Sequence, residues 1–261
     1  MKFSSNRRVF LSTANSPRRR LGLGALVAAV CAMHAAAAGA SVVQPAGLDR
    51  GDPYRLVFIT HGATDPLSSD VQVYNDFVTA EAAKIGSIVR NLDTNWYAIV
   101  SSTSVNARTN TKTDPTPAGL NGTPLYLVDG VTRIARNYDD LWDANIEAPV
   151  GLSQFGALPA GGIHPLFAWT GSREDGTAYV GFQPFTVGTG SVVGGFGTST
   201  DHYWTSASLV GVSPGRNGGH LYAVSDVLFA VPEPATGTLL AASLLFAGAS
   251  HWRFRAAAFQ S

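Results

Sequence analysis

The stretch YRLVFIT, residues 54–60, is the apolar run that decides the fold. Asp52 and Pro53 precede it, and His61 and Gly62 follow it, so turn-forming residues bound it at both ends. A short apolar run with such boundaries is typical of a buried strand rather than a helix. We therefore predict a buried strand over residues 54–60.

A single amphipathic helix is predicted after this strand, within residues 68–90. Ser68, Ser69 and Asp70 are the candidate N-cap residues, because their side chains can accept a hydrogen bond from the first turn. The apolar positions that recur at helical spacing are Tyr74, Phe77, Val78, Ala82, Ile85 and Val89. The pattern indicates one continuous helix that carries these side chains on one face.

The rest of the chain favours short strands joined by long loops. Residues 125–135, LYLVDGVTRIA, place Asp129 and Gly130 between two apolar runs, which is a strong hairpin signal. Further strands are predicted over residues 96–100, 166–170, 178–182, 202–210 and 220–231. Residues 109–124 and the Gly- and Thr-rich residues 186–200 are interpreted as loops. One helix followed by many strands predicts an α+β fold: a single compact domain with a twisted, mostly antiparallel sheet.

The first 40 residues have the pattern of a secretory signal peptide. Basic residues come first, without an acidic side chain: Lys2, Arg7, Arg8, Arg18, Arg19 and Arg20. An apolar run follows and ends in small residues near Ala38–Ala40. NRRVFLS, residues 6–12, resembles a twin-arginine export pattern, but Sec export is favoured because a second basic cluster separates it from the apolar run. That run is shorter than the roughly 20 residues that span a bilayer, so cleavage is favoured over a permanent anchor.

The C-terminal tail, residues 232–261, combines a Pro-Glu-Pro box, an apolar stretch at residues 235–250 and a basic end. The residues of this signal are Val231, Pro232, Glu233, Pro234, Arg253 and Arg255. Their order resembles the PEP-CTERM sorting tail of Gram-negative bacteria. The resemblance implies transient anchoring in the inner membrane through the apolar stretch, and processing by an exosortase. It also implies delivery to the cell surface or extracellular matrix, often in cells that make exopolysaccharide.

The part between the two signals, residues 41–231, is acidic. It holds ten Lys and Arg against seventeen Asp and Glu, a net charge of −7, whereas the whole chain is neutral. An acidic domain without a basic run is a poor candidate for binding nucleic acid. The single cysteine, Cys31, lies in the signal peptide. Zinc sites built on thiolates and cysteine nucleophiles are therefore excluded from this domain.

The central domain carries a second resemblance, in the order of WYAIVSST (96–103), PLYLVDG (124–130), NYDDLWDANIEAP (137–149) and AWTGS (168–172). This order is similar to a group of PEP-CTERM proteins whose central domain resembles the C-type-lectin-like and endostatin-like folds. The resemblance implies helices and a twisted sheet that carry long ligand-binding loops. It also implies carbohydrate as the class of ligand.

The end of the first strand suggests one catalytic hypothesis, because His61 and Gly62 follow it. This stretch resembles the start of the histidine phosphatases, in which a strand is followed by Arg-His-Gly. In those enzymes cationic side chains surround the phosphoryl group that is transferred. Thr60 stands at the position of that arginine, and His220 follows two glycines, the reverse of the usual Ser-His-Gly order. We therefore interpret His61 as a strand-end residue that caps or packs. An exported hydrolase is the alternative.

Two further groups of residues are candidates for ligand binding. Four carboxylates within one acidic segment could hold extracellular calcium: Asp139, Asp140, Asp143 and Glu147. The segment lacks the regular order of a calcium loop, so a solvated acidic face is the preferred interpretation. Four aromatic residues could stack on sugar rings: Trp142, Trp169, Tyr203 and Trp204. Aromatic residues in strands more often form core, and we prefer that role here. Calcium is the one cofactor considered.

These patterns leave three classes of function. The leading expectation is a non-enzymatic exported protein of the cell surface or matrix, sorted through its tail and binding exopolysaccharide. The second is a hydrolase that acts on phosphate esters at His61 or on polysaccharide. The third is a purely structural matrix component without a ligand.

Overall fold

The described residues of the computed structural model are 43–115, 122–159, 166–212 and 218–231, and all belong to one compact unit that begins at Val42. The strands are β1 Pro53–Ile59, β2 Trp96–Ala98, β3 Leu125–Leu127, β4 Arg133–Ala135, β5 Phe167–Trp169, β6 Ser191–Phe196, β7 Ser208–Gly211, β8 Tyr222–Ser225 and β9 Leu228–Phe229. The helices are α1 Val71–Ala82, α2 Ala107–Asn110 and α3 Tyr138–Leu141, with a 3-10 turn at His202–Trp204. The predicted α+β class, with few helices and mostly antiparallel pairing, is confirmed.

Strand β1 is the predicted buried strand, and it lies inside the larger sheet. It pairs in parallel with β3 and antiparallel with β8 and β9, within the order β2-β8-β1-β3-β4. Tyr54, Leu56 and Phe58 belong to one core, while Val57 and Ile59 belong to the other. Since successive side chains point to opposite faces, an uninterrupted apolar run is what a strand covered on both sides requires.

Helix α1 begins where the sequence predicts and ends earlier. The carboxylate of Asp70 is the N-cap and accepts a hydrogen bond from a main-chain N–H of the first turn, at 2.9 Å. The helix packs on β2 and ends at Ala82. The chain then turns at Gly86, whose φ of +87° costs glycine little. Ile85 is consequently 85% exposed. The predicted continuation of the helix to Val89 is wrong.

The hairpin between β3 and β4 is confirmed, with a turn longer than two residues. The carboxylate of Asp129 accepts hydrogen bonds from the main-chain N–H groups of Val131 and Thr132, both at 2.9 Å, and from the hydroxyl of Thr132. Gly130 takes a φ of +68°, which glycine adopts without a steric penalty. These bonds hold Val131 at the tip of the turn.

The smaller sheet, in the order β5-β6-β7, contains a strand that the sequence did not predict. Strand β6 lies within residues 186–200, which the glycine content suggested to be a loop. A Cβ on Gly195 would overlap the main-chain oxygen of Trp204, and a Cβ on Gly194 would overlap the ring of Phe167. These glycines therefore serve a close approach of neighbouring chain segments rather than a turn.

Of two further predicted strands, residues 178–182 take another conformation, and residues 202–210 form a strand only from Ser208, in β7. Within residues 178–182, Ala178 makes an isolated bridge to Ser172, after which the N–H of Val180 turns back to the oxygen of Ala178. Residues 202–204 form the 3-10 turn, because the carboxylate of Asp201 caps it by accepting from the main-chain N–H two residues on. The predicted strand over residues 220–231 is divided into β8 and β9.

In the described part of the chain, no helix is both long enough and apolar enough to cross a membrane. The predicted signal peptide, residues 1–40, lies outside the described residues. The apolar stretch of the tail, residues 235–250, also lies outside them.

Candidate functional site

The acidic segment around α3 is paired with arginines. Glu147 accepts two hydrogen bonds from Arg133, at 2.8 and 3.1 Å, in a bidentate ion pair. Asp140 forms an ion pair with Arg136, whose guanidinium also lies 3.5 Å from Glu147. The hydrogen bond from Arg136 is the main reason that the pKa of the Asp140 carboxyl lies below its ordinary value. Guanidinium groups thus already neutralise two of the four carboxylates.

The other two carboxylates do not complete a metal site. Asp143 accepts a hydrogen bond from the main-chain N–H of Asn145 at 3.0 Å, within its own turn. Asp139 lies in the first turn of α3. Across residues 43–115, 122–159, 166–212 and 218–231, no group of three or more His, Cys, Asp or Glu side chains could hold a metal ion. The four candidate residues do not form such a group in the structure: Asp139, Asp140, Asp143 and Glu147.

Three of the four aromatic residues considered for sugar stacking lie in the core. Trp142, Trp169 and Trp204 are 6%, 2% and 0% exposed. Trp142 stacks on Trp204 with ring centroids 5.7 Å apart, and its indole N–H donates to the oxygen atoms of Thr113. A ring enclosed on both faces cannot meet a sugar, so the stacking hypothesis is wrong for these three residues. The core role, which the sequence analysis preferred for these residues, is confirmed for all three.

Tyr203 is the remaining stacking candidate, and it is accessible. Its side chain is 46% exposed on the 3-10 turn. The ring of His202 lies 4.0 Å away, between centroids. Since Asp201 caps the turn, the two rings stand on a fixed piece of backbone. An exposed aromatic pair of this kind offers an apolar face to the C–H groups of a sugar.

A second exposed aromatic surface, which we call the aromatic loop, spans residues 179–185. Phe182 is fully exposed in it. The centroids of the Tyr179 and Phe185 rings lie 5.7 Å apart. The main-chain N–H of Phe185 donates to the main-chain oxygen of Tyr179 at 2.9 Å, which closes the loop. The guanidinium of Arg173 lies 4.9 Å from the centroid of the Tyr179 ring. The loop therefore carries two half-buried rings and one solvated ring, with the guanidinium of Arg173 beside it.

The aromatic loop is not predicted from the sequence, because residues 178–182 have the pattern of a strand. The available signal was YVGFQPF, in which Gly181 and Pro184 separate the aromatic residues. Both glycine and proline disfavour the interior of a strand. A loop interpretation would have identified Phe182 as a side chain with little cover.

His61 stands just beyond the end of β1, in a closely bonded turn. Its main-chain N–H donates to Gln154 Oε1 at 2.9 Å, and the N–H of Gly62 donates to the buried carboxylate of Glu81 at 3.0 Å. Its ring packs edge-on against Phe155, with centroids 5.3 Å apart. These contacts fix the backbone on both sides of His61 and pack its ring. They support the interpretation of His61 as a packed strand-end residue.

Arg55 is a buried charge that the sequence analysis did not single out. Its guanidinium donates to the carbonyl oxygens of Ser225, Thr111 and Lys112, at 2.6, 2.7 and 3.2 Å. It also lies 5.7 Å from the centroid of the Tyr138 ring. Burial lowers the pKa of the guanidinium. Arg55 thus joins the segment after α2 to the sheet, which is a structural role.

A polar cluster at the surface lies next to this arginine. Lys112 Nζ donates to the hydroxyl of Tyr97 and to the carboxylate of Asp226, the latter at 3.0 Å. The amide of Asn95 donates to the same carboxylate at 2.8 Å. The hydrogen bond with Tyr97 is the main cause of a raised pKa for Lys112. The cluster is therefore a paired surface network, and its lysine is not a neutral nucleophile.

The predicted sorting signal begins where the described chain ends. Val231 is the last described residue, and its main-chain N–H donates to Gln44 Oε1 at 2.8 Å. The neighbouring Ala230 belongs to the core. The other residues of the signal lie outside the described residues: Pro232, Glu233, Pro234, Arg253 and Arg255.

A comparison of the chain with protein-family models gives no match, and a comparison with curated proteins gives no significant match.

Proposed function

We propose that this chain is a non-enzymatic exported protein of the cell surface or extracellular matrix, sorted through a PEP-CTERM tail and processed by an exosortase. The observation that carries the proposal is the position of the domain's last core residue. Ala230 is buried, and the Pro-Glu-Pro box begins two residues later. An enzyme that removes the tail would therefore not have to cut into the core.

The main chain near the box supports this division. The N–H of Ala230 donates to the oxygen of Asp52, and the oxygen of Ala230 accepts from the N–H of Gly51, both at 2.9 Å. Val231 adds the hydrogen bond to Gln44. A protease needs an extended chain that it can bind, and backbone held by these bonds is poorly suited to cleavage. Processing is therefore expected on the C-terminal side of Val231.

Exopolysaccharide is the ligand class that we propose for the exposed aromatic residues. Phe182 and Tyr203 present rings to solvent on backbone that hydrogen bonds hold in place. Ring faces of this kind bind sugars through their apolar C–H groups, while nearby polar groups give orientation. The resemblance to lectin-like domains points in the same direction. The proposal places binding at these residues and no longer at the buried tryptophans.

Processing is tested by replacing Pro232 and Pro234 with alanine in the full chain, expressed in a bacterium that has an exosortase. We expect unprocessed protein to accumulate in the inner membrane, because the box is the proposed recognition element. Pro184→Ala, in the aromatic loop, is the control and should be processed normally. Unchanged processing and release of the double variant would contradict the proposed sorting.

Ligand binding is tested with the exported protein on an array of bacterial exopolysaccharides, in chelator and in calcium. Phe182→Ala and Tyr203→Ala should each weaken binding by about 1 kcal/mol, the scale of one aromatic contact. Ile85→Ala, at another exposed apolar residue, is the control. Binding should not depend on calcium, because arginines pair two of the carboxylates. If no glycan binds, the protein is better described as a purely structural matrix component.

A further inference from the structure

The two ends of the described chain lie side by side and form one surface, which we call the end face. It consists of residues 43–46, 130–131 and 229–231. The N–H of Ala46 donates to the oxygen of Gly130 at 3.0 Å, and Gln44 accepts from Val231 at 2.8 Å. The N-terminal segment therefore contacts the β3–β4 turn on one side and the end of the chain on the other.

The end face exposes large apolar side chains. Val131 is 73% exposed, Phe229 is 61% exposed and Val231 is 53% exposed. Phe229 and Val231 are two residues apart on an extended chain, and the residue between them, Ala230, is buried. Alternation of side chains therefore places both on the outward side. The negative charge of Asp129 is partly compensated on this surface, because its carboxylate accepts hydrogen bonds from the main-chain N–H groups of Val131 and Thr132.

The position of the tail sets how far this face can lie from a membrane. Three residues separate Val231 from the apolar stretch that begins at Ala235. Four steps of extended chain span at most about 14 Å. The apolar stretch, residues 235–250, would be about 24 Å long as a helix, against a hydrocarbon core of about 30 Å. A short span draws its flanking residues toward the bilayer.

We propose that, while the tail anchors the chain, the domain rests on the outer surface of the inner membrane through its end face, with Val131, Phe229 and Val231 in the lipid interface. The inference rests on the proposed function, because the tail must act as an anchor. It adds an orientation: the aromatic loop and His61 point away from the lipid. The occupant of the end face is the bilayer itself.

The opposite end of the domain provides controls. Pro53, the first residue of β1, pairs with Phe229 of the end face, whereas the chain just beyond the last residue of β1 bonds to Glu81 through Gly62. The strand is about 20 Å long at the usual rise per residue. Ile85, one turn beyond Glu81, is therefore an exposed apolar residue at the other end of the strand. Phe182 is the second control, because the chain after the aromatic loop also lies beyond the end of β1: the N–H of Gly188 donates to the oxygen of Pro66 at 2.9 Å.

The test uses the full chain with Cys31→Ser, expressed in a bacterium that lacks an exosortase so that the tail is retained. Single cysteines replace Val131, Phe229, Ile85 or Phe182 and carry a polarity-sensitive fluorophore. The isolated membranes are then examined with quenchers attached at graded depths to lipid chains. Labels at 131 and 229 should lie about 5–10 Å into the interfacial layer. Labels at 85 and 182 should be quenched only by a water-soluble quencher.

Alkaline carbonate extraction of the same membranes separates the two proposals. Release of the protein by carbonate would overturn anchoring by the tail, and the proposed sorting with it. The protein could instead stay in the membrane while the labels at 131 and 229 are as accessible to water as the label at 85. That result would overturn only the docking of the end face. In a third outcome, the labels at 131 and 229 are protected from the water-soluble quencher only until the protein is diluted in lipid. That result would show that a second copy covers the end face, and it would also overturn the proposal. A matching far-ultraviolet circular dichroism spectrum shows that each variant is folded.

Discussion

Arg55 shows how one buried side chain connects distant parts of the chain. Its donors bind main-chain oxygens of β8 and of the segment after α2, and removing the guanidinium removes these buried hydrogen bonds. Arg55→Met keeps much of the side-chain volume and should lower the free energy of unfolding by about 2–5 kcal/mol, because unsatisfied buried groups cost about 1–3 kcal/mol each. Urea denaturation measures the change.

The matched control for this prediction is Arg90→Met, at an exposed arginine. Its effect should stay within about 0.5 kcal/mol, as for most surface substitutions. Equal effects of the two variants would show that the buried hydrogen bonds contribute little to stability.

The carboxyl group of Asp226 makes the stability of the domain depend on pH. Burial raises the pKa of its carboxyl, but hydrogen bonds from Asn95, Lys112 and Tyr97 outweigh burial and leave the pKa below its ordinary value. A carboxyl with a lowered pKa in the folded state stabilises the fold above its unfolded pKa of about 3.9 and loses this contribution as the pH falls through the folded value. Asp226→Asn should therefore flatten the fall in melting temperature below about pH 4.

The pH profile of the parent protein is the comparison. At neutral pH the variant should melt at a lower temperature than the parent, and the difference should shrink in acid. A constant difference at every pH would mean that Asp226 contributes through packing or neutral hydrogen bonds and not through its charge.

At the scale of an element, strand β6 depends on its glycines. Gly195 lies where any Cβ would overlap the main-chain oxygen of Trp204, and main chain cannot move aside as a flexible side chain can. Gly195→Ala should therefore destabilise the domain by about 1–3 kcal/mol, the usual cost of overpacking. Gly211→Ala in β7 of the same sheet is the control, because its Cβ would meet no atom within 4 Å.

Thermal unfolding distinguishes these two glycine variants. The melting temperature of Gly195→Ala should fall by several degrees, while that of Gly211→Ala should change little. An unchanged melting temperature for Gly195→Ala would mean that the 3-10 turn at residues 202–204 can shift to make room for the added Cβ at little cost.

At the scale of the whole molecule, we expect main-chain pairing of β9 and of the two residues after it to set the C-terminal boundary of the domain. A protein of residues 41–231 should unfold at nearly the same temperature as one of residues 41–261, measured in the same detergent, because the hydrogen bonds of Ala230 and Val231 are retained. A protein of residues 41–227 loses β9 and these bonds. It should be less stable by about 2–3 kcal/mol, which lowers the melting temperature by roughly 5–10 °C.

This pair of truncations also examines the proposed processing. If the protein of residues 41–227 were as stable as the protein of residues 41–231, β9 would not define the edge of the domain. Cleavage could then occur on the N-terminal side of Val231. If removal of residues 232–261 alone destabilised the domain, the tail would contribute to the fold.

The sequence by itself determined the elements whose signals are local. The predicted strand over residues 54–60 is found as β1, Pro53–Ile59, because an uninterrupted apolar run suits a strand covered on both faces. Asp70 caps α1 because its side chain reaches the first turn. Asp129 and Gly130 fix the hairpin for the same local reason. The α+β class follows from the order of these elements.

Tertiary structure alone decided the rest, since those features depend on which segments meet. Gly194 and Gly195 belong to a strand because distant chain packs directly on them, and a glycine-rich sequence gives no sign of this approach. In the acidic segment, Glu147 and Asp140 pair with Arg133 and Arg136, and the sequence does not show which arginine meets which carboxylate. Trp142 and Trp204 are core because they stack on each other, whereas Phe182 is exposed because its loop turns outward. Local chemistry determined where elements begin, and contacts between distant residues determined which side chains can meet a ligand.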